Sequence, residues 1–68
     1  MITQKTVTLR RTQIEVPAPR NGWPGYRWTT GYYVVDPNTG NEIHPPIGRF
    51  EAYRMARELG ATRVRVID

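Results

Sequence analysis

Residues 26–44 read YRWTTGYYVVDPNTGNEIH. A dense aromatic and β-branched run, a turn and a second extended run follow one another there, which is the composition of a β-hairpin. Asp36-Pro37-Asn38-Thr39-Gly40 supplies the reversal. Proline is preset for the first corner of a turn, and Asn and Gly tolerate positive φ. The run before it, Tyr26 to Val35, is the clearest strand of the chain. Alternation places Tyr26, Trp28, Thr30, Tyr32 and Val34 on one face and Arg27, Thr29, Gly31, Tyr33 and Val35 on the other, and the first set makes the better core face. Gly31 interrupts the strand interior. A β-bulge is the leading expectation there, with a sharp twist or the close approach of another backbone or a ligand as alternatives. The return strand, Asn41 to His44, should be short, because Pro45 and Pro46 cannot donate to a ladder.

Beyond the prolines the period changes. In Arg49 to Leu59 (RFEAYRMAREL) the residues Met55, Leu59, Ala52, Ala56 and Tyr53 fall in one apolar arc, with Arg54, Arg57, Glu51 and Glu58 opposite. This predicts an amphipathic helix whose charged face pairs acids with arginines at spacings of three and four. Gly48 serves as its N-cap, Glu51 lies near the positive end of its dipole, and Gly60 supplies a left-handed stop. Thr62 to Ile67 then alternates cleanly, with Val64 and Val66 on one face and Arg63 and Arg65 on the other. A helix of that length returns the chain to its starting edge. The last strand should therefore run parallel to the short strand and antiparallel to Tyr26–Val35, with the N-terminal segment as its expected neighbour.

Working upstream, Thr6 to Val16 is rich in β-branched residues and reads as extended. Val7 and Leu9 point one way and Ile14 and Val16 the other. A bulge between Arg10 and Thr12, or a division into two short strands, is needed to keep both pairs on the core side. Pro17 to Gly25 (PAPRNGWPG) holds three prolines and two glycines and reads as a loop. Trp23 within it is expected to fold back over the core edge, the alternative being that it stays available to a partner. The fold class that results is α+β: a single small domain over residues 1–68, with a single-layer, mixed but mostly antiparallel sheet of three to four strands and one helix on one face, in the order β-β-β-α-β.

Composition narrows the chemistry. The chain of 68 residues has no cysteine and no serine, and His44 is its only histidine. The usual nucleophile and base pairings therefore cannot be assembled. One histidine and scattered carboxylates give no metal-ligand spacing, and the glycines form no phosphate-cradling motif. The expectation is a protein that is not an enzyme and takes no cofactor and no metal. No apolar run approaches the roughly 20 residues that span a bilayer, and the N-terminus carries no signal-type apolar block, so no membrane partner and a cytoplasmic location are expected.

Charge points to a partner. The formal net charge is +4, and nine of the ten basic residues are arginine. Residues 1–35 hold Lys5, Arg10, Arg11, Arg20 and Arg27 against Glu15 alone, while acids and bases balance in the remainder. Arginine pairs bidentately with phosphate and with guanine edges, as lysine does not. If the helix covers the face bearing Trp28, Tyr32, Val34, Val64 and Val66, the open face presents Arg27, Thr29, Tyr33, Arg63 and Arg65, with Arg10 and Arg11 as further members. Guanidinium groups beside an aromatic ring suit DNA or RNA, bound mainly through phosphates. The alternative is a protein-interaction module or homodimer that uses Trp23, Tyr26, Tyr33 and a sheet edge. Arginines converging on one face favour the first reading, and aromatic rings clustered at an edge favour the second.

Overall fold

The chain is described from a computed structural model covering residues 3–68. The elements are β1 (Thr6–Pro17), β2 (Tyr26–Val35), β3 (Glu42–Ile47), α1 (Arg49–Glu58) and β4 (Arg63–Ile67). The strands form one mixed sheet in the order β3-β2-β1-β4, mostly antiparallel, with β4 parallel to β1. This is the α+β, β-β-β-α-β architecture expected from the sequence.

The second hairpin follows its turn chemistry. Asn38 N–H donates to Asp36 Oδ1 at 2.8 Å, Gly40 N–H donates to the Asp36 carbonyl at 2.8 Å, and Gly40 takes φ +75°. β3 is longer than expected and runs through both prolines to Ile47, which pairs with Tyr32. It lies at the sheet edge, where one side of a strand needs no ladder partner, so prolines are tolerated; the pairing with β2 skips between Tyr32 and Val34. At the other edge, Thr62 N–H donates to the Lys5 carbonyl at 2.9 Å and Lys5 N–H to Thr62 Oγ1 at 2.8 Å, which clamps the start of β4 to β1.

Between edges, α1 crosses one face of the sheet. Its buried residues are Ala52 and Ala56, whose small side chains let the helix axis approach β1 and β2 closely. They close over Val7, Leu9 and Val34, with Tyr32, Ile43, Met55, Val64 and Val66 packed around. Gly60 ends the helix at φ +88°, as its position implied.

The first hairpin departs from the sequence reading in three ways. Its register runs without a break from Leu9↔Val34 to Pro17↔Tyr26, so no bulge occurs at Arg10 to Thr12. Ile14 and Val16 consequently share a face with Arg10, away from the helix. Pro17 to Gly25 is not an open loop either. Ala18 N–H donates to the Gly25 carbonyl at 2.8 Å, and Arg20 and Trp23 exchange both backbone hydrogen bonds. Asn21 (φ 50°) and Gly22 (φ +78°) thereby close a two-residue turn of the mirror-image type that matches strand twist. Thirdly, Gly31 carries no bulge in its pairing with β1. It is buried because Ile14 lies across it, and a Cβ there would come 2.5 Å from Ile14 Cγ2.

The physical reason for the absent bulge at Arg10 to Thr12 is length. A ten-residue helix spans about 15 Å, whereas a twelve-residue strand spans about 40 Å. The helix covers only the four-stranded half of the sheet, and β1 and β2 project beyond it as a bare two-stranded ribbon, giving principal extents of 55 × 18 × 16 Å. No covered face exists on the ribbon to impose a hydrophobic register. Trp28 and Tyr26 do lie on the helix side of β2, but beyond the helix, and are both 68% exposed rather than core residues. Trp23 does not fold back over the core; it stands at the ribbon tip, 75% exposed.

Candidate nucleic-acid interface

The face opposite α1 is built by strand register. On β4, Arg63 and Arg65 stand opposite Thr6 and Thr8 of β1, since Val64 and Val66 pair with Val7 and Leu9 on the helix side. On the central strands Arg10 is the cross-strand neighbour of Tyr33, and further along the ribbon Val16 is the neighbour of Arg27. The same alternation carried to the tip places Arg20 and Trp23 on this face. Five arginines thus share one surface: Arg10, Arg20, Arg27, Arg63 and Arg65.

Glu42 is the acid on that face, paired across from Val35. The other five basic residues, Lys5, Arg11, Arg49, Arg54 and Arg57, are equalled in number by Glu15, Asp36, Glu51, Glu58 and Asp68, although only Arg11 with Asp68 makes an ion pair among the described residues and the acid–arginine pairs expected on α1 do not form. The entire net charge of the chain therefore lies on the open face. Fourteen residue steps separate Thr6, at the start of β1, from Arg20 at the hairpin tip beyond it, so the arginines are strung over about 45 Å. Because two-stranded ribbons twist strongly, this strip winds about the long axis.

At the centre of the strip lies a small polar cluster. The Arg10 guanidinium is held in a fork by Glu42, through Nε to Oε2 and through Nη2 to Oε1 at 3.0 Å. Its Cζ lies 4.7 Å from the Tyr33 ring centroid, and the edge of Tyr33 meets His44 at 4.9 Å. The hydrogen bonds from Arg10 hold the Glu42 carboxyl below its ordinary carboxylate pKa and raise that of Arg10, desolvation opposing both. Both groups are consequently charged at neutral pH, and Arg10 is already partnered. By contrast, Arg20, Arg27, Arg63 and Arg65 form no ion pair among the described residues, and neither do Lys5, Arg49, Arg54 and Arg57 off the strip.

The structure brings together Arg10, Arg27, Tyr33, Arg63 and Arg65 on one face. It does not bring Arg11 with them: Arg11 lies opposite Tyr32 on the helix side, where its Nη1 is 2.9 Å from Asp68 Oδ1. Arg10 and Arg11 are adjacent on an unbulged strand, so they must point oppositely. Of the aromatic set, Tyr33 and Trp23 share the arginine face, Trp23 at the tip, whereas Tyr26 faces the other way beside Trp28. Arg20 was missed as a member of the strip. Asn21-Gly22 was the signal that could have found it, since that dipeptide fixes a hairpin turn and extends the register to Arg20 and Trp23.

Comparison with protein families, curated proteins and solved structures finds no match. Among the described residues no helix is long and apolar enough to cross a membrane.

Proposed function

We propose that this chain is a small, non-catalytic nucleic-acid-binding protein that holds DNA or RNA along the open face of its sheet, mainly through phosphates. One observation carries the reading: five arginines, with Glu42 among them, give a strip about 45 Å long a charge equal to the net charge of the chain. A small anion needs its cations gathered around one point. Cations strung along a winding ribbon match a linear polyanion instead, whose phosphates repeat along its length. A cytoplasmic location fits a partner of that kind.

The four arginines of the strip that form no ion pair set the expected strength. Each phosphate neutralised on a duplex contributes about −0.9 to the slope of log K against log salt, so Arg20, Arg27, Arg63 and Arg65 together predict a slope near −3.6. Fluorescence anisotropy of mixed-sequence DNA and RNA oligonucleotides across a salt series measures it. Binding that weakens steeply with salt supports the proposal. Absence of binding to either nucleic acid at ~50 mM salt removes it.

A further inference from the structure

The ribbon has a second face, and none of the described residues covers it. Tyr26 and Trp28 lie there across from Pro17 and Glu15, on the side of the sheet that α1 occupies further down. A two-stranded ribbon is marginally stable alone in water, and its usual remedy is a hydrophobic face packed on something. A third unburied ring stands nearby in the topology. Ile47 pairs with Tyr32, so β3 delivers the chain to the start of α1 at the ribbon end of the sheet. Phe50, in that first turn, is 89% exposed beside a shallow hollow lined by Arg49, Tyr53 and Arg57. Helical side chains lean towards the N-terminus, which inclines Phe50 towards the ribbon end.

We propose that a second copy of this chain covers that face, the Phe50 side of each helix seating on Trp28 and Tyr26 of the other copy's ribbon in a two-fold dimer. Area supports a partner. A compact monomer of this mass would expose roughly 4,400 Å², whereas the chain exposes 5496 Å². The excess of about 1,100 Å² is distributed over both faces of the projecting ribbon and is surface that an elongated chain leaves for a partner. Charge selects the side. Two arginine strips would repel each other, while the remainder of the surface carries five bases and five acids and can meet its own copy without net repulsion. An isologous contact also fits, because helix and ribbon each supply one half of it and the two-fold axis supplies the other. Both arginine strips stay outward, so the dimer does not depend on the nucleic-acid reading.

Sedimentation equilibrium of the full chain across a wide concentration series tests it. The mass should rise from 7.9 kDa towards twice that value. Phe50→Glu and, separately, Trp28→Thr should raise the dimer dissociation constant about 30-fold or more, the range of interface hot spots, with unchanged far-UV circular dichroism. Both side chains lie outside the core, and threonine keeps the strand preference of position 28. A chain that stays at 7.9 kDa throughout overturns the proposal. So does a dimer indifferent to both substitutions. Loss of oligonucleotide affinity in these variants at unchanged mass also overturns it, since the aromatic face would then belong to the nucleic acid.

Discussion

Alanine at both Arg63 and Arg65 is expected to weaken binding of a DNA duplex about 60-fold at ~0.1 M salt and to flatten the salt slope by about 1.8. The size follows from counterion release: each phosphate left without its arginine removes about 0.9 log unit between 1 M and 0.1 M salt. The choice of residues follows from register. β4 is tied to β1 from Thr6↔Arg63 to Arg10↔Ile67, so both guanidinium groups project from the open face of an edge strand and pack on nothing in the core. Removing them should leave the fold intact. Arg54→Ala with Arg57→Ala removes the same charge from the exposed side of α1. That pair should cost only the long-range share of the effect, which salt screens beyond about 10 Å. Equal losses in the two pairs would mean that net charge, and not the strip, governs binding.

The second large effect concerns stability. Leu9→Ala is expected to cost about 2–5 kcal/mol, the range for truncating a fully buried leucine. Leu9 is completely buried among Val7, Val34, Ala52 and Ala56, and few other large side chains share that position. A domain of this size holds a total of only about 3–10 kcal/mol, so the loss is a large share of the stability and should move the unfolding midpoint well down in denaturant. Urea denaturation followed by far-UV circular dichroism measures the loss. Ile14→Ala, on the uncovered ribbon, should cost clearly less, because no helix closes over that position. A Leu9→Ala loss below about 1 kcal/mol would mean that the sheet and helix do not share the core described.

What could be read from residues alone divides along a physical line. Local chemistry declared itself: the Asp36 to Gly40 turn, the Gly48 and Gly60 helix ends, and the alternation that sends Arg63 and Arg65 outward all act within a few residues. Alternation also grouped Tyr26, Trp28, Tyr32 and Val34 on one face correctly. It could not say that the helix would leave Trp28 uncovered, because sharing a face and having that face covered are different properties. The second depends on element lengths and on where each element is pinned. The same gap explains Ile14 and Val16. A bulge is required only if a core lies beneath them, and the ribbon has none. The Asn21-Gly22 turn was present in the sequence but surrounded by prolines, whose signal for a loop outweighed it.

The arginine strip is the central claim, and arginine Nε–Hε resonances report on it directly. They can be followed while a nitrogen-labelled chain is titrated with a short duplex at low salt. The side chains of Arg20, Arg27, Arg63 and Arg65 should shift together as the complex forms, while those of Arg49, Arg54 and Arg57 on α1 hold their positions. Shifts confined to the α1 arginines, with the four strip residues unmoved, would contradict the account.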